Sequence, residues 1–336
     1  MSVRLKKMSW AFALVLLCCS TLNAANDEEL SEQESMEETP VVFVAKRFRC
    51  GRPISRHPDS QSAFDCGLRG VWLPADPPLF RPFVADPRQL TYSFGRRFND
   101  RAITKNVIPV SFWSTIPLYR WFDIGPCHGM LQIDLDGAVW AIFDPDDFSS
   151  PYESLPLINA DYYVGLPLTY AFCKWSFRLR VFHVSSHLGD EYMVNNPNLK
   201  RLNPSSETVD FFASYYLTKQ IRLFAGVGYI VHQDKSFPCS KFSADAGLEV
   251  RLQSLGFCNC CHKLAGRPFY AMYFRYKTDF KRHVDATYAL GYEIEKCWAY
   301  RERWRLFIEY HDGYSFDGQF CNEPTNYFGF RITYGY

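Results

Sequence analysis

Residues 327–336 read YFGFRITYGY, and their side chains alternate in kind. In an extended strand, Phe328, Phe330, Ile332, Tyr334 and Tyr336 fall on one face. Gly329, Arg331, Thr333 and Gly335 fall on the other. The same period runs through residues 242–252, where Phe242, Ala244, Ala246, Leu248, Val250 and Leu252 oppose Ser243, Asp245, Gly247, Glu249 and Arg251. It recurs in residues 303–311, with Trp304, Leu306, Ile308 and Tyr310 set against Arg303, Arg305, Phe307, Glu309 and His311. A soluble β-sandwich also alternates, so further features must decide between water and lipid.

Three of them favour lipid. The strands reach the ten or so residues that a tilted membrane crossing needs. Their apolar faces begin or end in Tyr, Trp or Phe, as an interfacial girdle requires. The chain also stops on an aromatic residue after an alternating strand, which resembles the C-terminal assembly signal of bacterial outer-membrane barrels. Alternating segments occur near 89–98, 106–115, 129–143, 160–172, 174–187, 207–218, 220–232, 241–254, 267–278, 284–295, 303–311 and 325–336. The fold class they predict is an all-β, transmembrane antiparallel barrel of about twelve strands, an even number as single-chain bacterial barrels use. Connections near 173–174 and 218–220 are tight, and 144–159, 188–206 and 312–324 are long. Tight turns on the periplasmic side place the long loops outside, although 116–128 and 255–266 depart from that rule.

The N-terminal residues specify export. Lys6 and Lys7 precede a short apolar run, and Leu22-Asn23-Ala24 offers a small-residue cleavage site, the layout of a signal peptide. The domain reading is a signal peptide at 1–24, an acidic and Pro-rich, partly disordered periplasmic segment at 25–78, and the barrel at 79–336. Residues 26–40 (NDEELSEQESMEETP) hold almost no large apolar groups, as expected of a solvated tether. A net charge of +1 argues against nucleic acid as a partner. The expected partner is outer-membrane lipid.

Ten of the twelve cysteines follow the leader. In an exported protein they read as disulfide formers, with Cys50 and Cys66 as a small staple and Cys258, Cys260 and Cys261 as the dense group. Zinc held by that group and His262 is the alternative, but adjacent ligands bend awkwardly around one tetrahedral ion. No cofactor and no metal is expected. The faces that alternate inward carry both signs, among them Asp134, Asp136, Arg178, Arg180, Asp210, Arg222, Glu249, Arg251, Glu293, Arg303, Arg305 and Arg331. Such a lumen is either threaded by water or closed by paired charges.

One stretch carries chemistry. Residues 182–192 read FHVSSHLGDEY. His183 and His187 lie four residues apart on a strand, roughly 13 Å, too far to chelate one ion. Residues two apart share a face at about 6.6–6.8 Å, so His183 can serve Ser185 as a base. Glu207, opening the next strand, is the orienting acid, and His187 is the alternative base. Continuing the period from Trp175, Phe177, Leu179 and Val181 puts His183, Ser185 and His187 on the lipid side, whereas a bulge near Val181 turns them inward. The spacing is similar to the His-x-Ser of outer-membrane phospholipase A and the lipid A deacylases, barrels with catalytic residues on the lipid-facing wall. The phospholipase's Asn-Gly after the serine is replaced here by Ser186-His187. The bland alternative is a polar strand end entering a loop, with Asp190 and Glu191 pairing with Lys200 or Arg201.

FRPFVADPR (residues 80–88), LINADYYVGLPL (157–168), FHVSSHLGDEY and NPSSE (203–207) together resemble an uncharacterised bacterial, chlamydial-type outer-membrane family, domain of unknown function 1207. The resemblance implies an exported barrel and no particular activity. It also suits disulfide-linked envelope proteins as partners. The leading functional expectation is a structural or pore-forming envelope protein. Its competitor is a lipid esterase using His183, Ser185 and Glu207, and adhesion through the outer loops is a third.

Overall fold

The computed structural model describes residues 69–146, 155–259, 264–278, 284–296 and 302–336. The signal peptide, the acidic tether, Cys50, Cys66, Cys260, Cys261 and His262 lie outside the described residues. The strands are β1 (Gly70–Trp72), β2 (Tyr92–Asp100), β3 (Thr104–Ile124), β4 (Gly129–Phe143), β5 (Leu157–Phe172), β6 (Trp175–Leu188) and β7 (Ser205–Tyr216). They continue with β8 (Ile221–Gln233), β9 (Phe242–Arg251), β10 (Phe257–Asn259), β11 (Leu264–Lys277), β12 (Asp285–Lys296), β13 (Arg303–Tyr314) and β14 (Pro324–Gly335). A short helix, α1 (Asp190–Asn195), follows β6. No described helix is long and apolar enough to cross a membrane.

Strands β2–β9 and β11–β14 form a closed antiparallel ring of twelve, sealed where β14 pairs with β2. Short β1 and β10 are appended to β3 and β11. Among the described residues the ring of twelve has no free edge, which a lipid-embedded sheet requires because nothing in hydrocarbon can hydrogen-bond an unpaired peptide group. The outward faces expose Phe94, Phe112, Leu166, Leu179, Val227, Leu290, Leu306 and Ile308. Aromatic girdles border them: Trp304 lies 4.9 Å from Tyr334, and Trp175 4.5 Å from Tyr215, near the rim that holds the C-terminus.

Several boundaries differ from the periodicity reading. Strand β3 runs on to Ile124, with register shifts after Pro117 and Trp121, so the connection at 116–128 shrinks to the turn 125–128. Bulges had interrupted the alternation there. The connection after β9 contains β10, which pairs back onto β11 and lengthens that hairpin. Tyr336, assigned outward by alternation, follows the last strand residue and packs edge-on against Trp113 at 5.5 Å on the lumenal side.

The lumen is filled from two sources. Inward-facing Glu293 receives Arg251 (3.1 Å), Arg267 (2.7 Å), Arg303 (3.4 Å) and Arg305 (3.4 Å), all buried. Arg267 and Arg303 also reach Glu295. The second source is the segment 76–91, which enters the barrel as a plug. Phe80, Phe83, Val84 and Ala85 form a core with Phe212, Phe224, Phe269, Tyr273 and Phe307 from the wall. Phe83 stacks on Phe224 at 3.8 Å. Gly226 and Gly247 make this possible, since a Cβ at either would meet the Phe212 or Phe224 ring.

Polar contacts fix the plug's backbone. Glu249 accepts the Val84 N–H at 2.9 Å. Arg222 donates to the carbonyls of Arg81 (2.9 Å) and Pro82 (3.2 Å), Arg120 to Pro77 (2.7 Å), and Arg331 to Pro87 (3.3 Å). Proline has a carbonyl but no N–H. A Pro-rich strand of chain therefore offers acceptors to a lumen full of arginines while adding few donors that would need partners.

Replacing Glu293 by Ala leaves four buried arginines short of their shared anion. Unfolding of the barrel, followed by its heat-modifiable mobility in gels, should show a loss of about 3–5 kcal/mol. Deleting residues 78–89 should open the lumen. Planar-bilayer recordings are expected to show larger unitary conductance for the deletion than for the intact chain.

Candidate active site

Strand β6 keeps an unbroken register with β5 from Trp175 to Leu188 and with β7 from Trp175 to Ser185. Without a bulge, its faces do not exchange. Leu179 and Val181 are exposed on the outer wall, while Ser176, Arg178 and Ser186 are buried toward the lumen. His183, Ser185 and His187 therefore share the outer face, near the rim opposite the C-terminus.

The register sets His183 directly across from Glu207 on β7. Its Nδ1 lies 2.8 Å from Glu207 Oε1. A carboxylate only accepts, so this contact keeps the proton on Nδ1 and leaves Nε2 as the basic nitrogen. Ser185, two residues further along β6, stands on the same outer face. Both ends of the His183–Glu207 pair are partly exposed, on a wall of exposed Tyr162, Val164, Leu166, Val181, Phe211 and Tyr229.

A further residue completes the cluster. His232 Nδ1 lies 2.6 Å from the other carboxylate oxygen of Glu207. Simple alternation along β8 sends His232 inward with Phe224 and Ile230. The register instead slips between Glu207 and Thr208, which pair with His232 and Ile230 respectively, so Val231 is the extra residue of a bulge. Val231 and His232 consequently both face outward and are exposed. Sequence alternation could not reveal this partner, because it assigns His232 to the wrong face.

The rest of the motif divides between the two sides. His187 is exposed, its ring 5.7 Å from that of Tyr162, and Glu207 is held by His183 and His232. Ser186 donates to Asn159 at 2.9 Å inside the barrel, and Asn159 donates to Asp161 at 2.7 Å. Asp190 lies 4.0 Å from Arg201, so the loop pairing considered for the polar strand end is present as well. Cys258 is exposed on β10. Among the described residues, no group of three or more His, Cys, Asp or Glu side chains is arranged to hold a metal ion.

On the lumenal side of the same strands lies a cavity of about 330 Å3. Its lining includes the plug residues Phe80, Phe83 and Arg88 and residues of the loops 234–241 and 315–323. Arg180 pairs with Asp210 in its wall, and the Arg180 guanidinium lies over the Phe182 ring at 4.5 Å.

Residues 41–336 match a family described as "Protein of unknown function (DUF1207)". The chain belongs to this family. No curated protein sequence matches it. Among solved structures it is similar to the outer membrane phospholipase A of Escherichia coli, at 13% identity and a TM-score of 0.46, covering 72% of this chain and 91% of that one. It is also similar to LpxR from Salmonella typhimurium, at 10% identity and a TM-score of 0.38, covering 73% and 100% of the two chains. The transport unit of the Escherichia coli autotransporter AIDA-I gives 11% identity and a TM-score of 0.40, covering 75% and 91%. The DUF1207 chain's own strand pairing, closed where β14 meets β2, makes it an antiparallel β-barrel.

Proposed function

We propose that this barrel hydrolyses acyl esters of membrane lipid at its outer wall. Ser185 is the nucleophile, His183 the base, and Glu207 the acid that orients it. The observation that carries the reading is the 2.8 Å contact between His183 Nδ1 and Glu207 Oε1, on the same outer face as Ser185. In the proposed reaction His183 Nε2 takes the Ser185 hydroxyl proton as Oγ attacks the ester carbonyl. The imidazolium then protonates the leaving alcohol, and water later releases the fatty acid by the same route. Glu207 stays ionised throughout, stabilising the imidazolium, and His232 steadies its second oxygen. The exposed apolar wall supports a lipid substrate, because acyl chains lying against Leu166, Val181 and Phe211 bring their ester groups to the height of the strand ends.

The lumen supports a second, non-enzymatic reading. A plug tied to the wall by Arg222, Glu249 and Arg331 suits an envelope protein whose barrel is stiffened from within better than it suits a wide diffusion pore.

Fatty-acid release from phosphatidylethanolamine and from lipid A in mixed micelles separates the two. Ser185→Ala is expected to lower the rate by at least about 10³-fold, and Glu207→Gln by about 10²–10⁴-fold. His232→Ala removes one hydrogen bond of about 1.4 kcal/mol, or about tenfold. Ser186→Ala, altered on the lumenal side, should keep the wild-type rate. Folded wild-type protein that releases no fatty acid from either lipid leaves the structural reading in possession.

A further inference from the structure

The lumenal cavity is lined by side chains that keep unused bonding capacity. On β4, buried Asp134 accepts from Gln132 and buried Asp136 from Thr115, each through one oxygen. A carboxylate has room for about four hydrogen bonds, and neither of these partners is charged. On β6, buried Arg178 packs between the Phe80 and Phe212 rings, at 4.7 and 5.0 Å. It stands 3.6 Å from Asp210, longer than a hydrogen bond, while Arg180 Nε holds the same Asp210 oxygen at 3.0 Å. Among the described residues Arg178 Nε has no hydrogen-bond partner. The same is true of the Trp113 and Trp140 indole N–H groups and of Gln89 Oε1, and all of these side chains line the cavity. Buried donors and acceptors are nearly always paired, so a concentration of unpaired ones around one cavity points to a ligand.

The lining narrows the chemistry of that ligand. It carries six carboxylates and six cationic side chains, a balance that favours a neutral molecule over an anion or a cation. Donors and acceptors are mixed along the wall, which suits hydroxyl groups, because each hydroxyl both donates and accepts. Aromatic rings supply flat surface between them. Trp140 lies edge-on to Tyr163 at 5.6 Å, and Tyr163 lies 5.5 Å from Phe182, a row that crosses β4, β5 and β6. The electron-rich faces of such rings attract the weakly positive C–H groups of a pyranose. A volume of about 330 Å3 is at the small end for ligand sites and limits the occupant to a small molecule.

We propose that the lumenal cavity binds a neutral sugar, a single pyranose whose hydroxyls are shared by Asp134, Asp136 and Arg178 and whose C–H face lies on the aromatic row. The site is on the opposite side of the wall from Ser185, so it is separate from the esterase reading and stands or falls without it.

Full-length protein in lauryldimethylamine oxide, a detergent without a sugar headgroup, is titrated calorimetrically with D-glucose, D-galactose, D-mannose and N-acetyl-D-glucosamine. At least one of them should bind saturably, with one site per chain. Asp136→Ala is expected to weaken that sugar by at least about tenfold, as loss of a hydrogen bond to a charged group does. Trp140→Phe keeps the ring and removes the indole N–H, and should weaken it by about fivefold. Heat-modifiable mobility confirms that each variant is folded. Folded wild-type protein that gives no saturable heat with any of the four sugars overturns the proposal. So does a sugar bound equally well by both variants, or saturable binding of inorganic phosphate or L-lysine in place of every sugar.

Discussion

A two-residue period wrapped into a closed ring governs this molecule. Every strand divides its side chains between hydrocarbon and a crowded polar interior, and no edge exists at which a strand could slide without breaking hydrogen bonds to both neighbours. Parity is consequently the strongest constraint on what any residue can do. Ser185 and Ser186 are adjacent in sequence, yet one looks toward lipid and the other is bonded to Asn159 inside the barrel. The charged residues obey the same rule: buried Glu293 meets its four arginines only because β9, β11, β12 and β13 all turn the required parity inward.

Parity is also why so much of the fold was legible. The alternations through 242–252 and 303–311 needed no tertiary information to interpret, and their inward residues do line the lumen. The strand carrying His183 could be placed because its alternation continued without a slip. Legibility failed where an extra residue broke the count. Bulges in β3 disguised its length, and the one in β8 hid His232 from any reading of faces. The plug was illegible for a different reason. Residues 76–91 have no period, so nothing local distinguishes a segment threaded through a barrel from one lying in the periplasm. Their fit depends on carbonyls meeting arginines more than a hundred residues away, as when Arg222 reaches Pro82.

Polar residues on a lipid-facing wall are costly unless they are satisfied or used. The His183–Glu207–His232 cluster meets part of that cost by pairing its groups with one another near the rim, where water and lipid headgroups are within reach. The wall's apolar residues and the cluster's hydrogen bonds are thus compatible, and the cluster remains exposed on its outer side. The interior contrasts with it: Glu249, Glu293 and Glu309 are buried against arginines, and Asp134, Asp136 and Asp245 against Gln132, Thr115 and Tyr273.

The arginine that ties the plug to the last strand links filling to assembly. The plug is continuous with β2, and β2 completes the ring by pairing with β14, the strand from which Arg331 donates to the Pro87 carbonyl. The seam and the contents of the barrel therefore meet on one strand. A chain that zips β14 onto β2 brings the guanidinium to its carbonyl in the same movement, so correct closure and correct filling are a single event, and a ring closed with its plug left outside lacks that hydrogen bond at the seam.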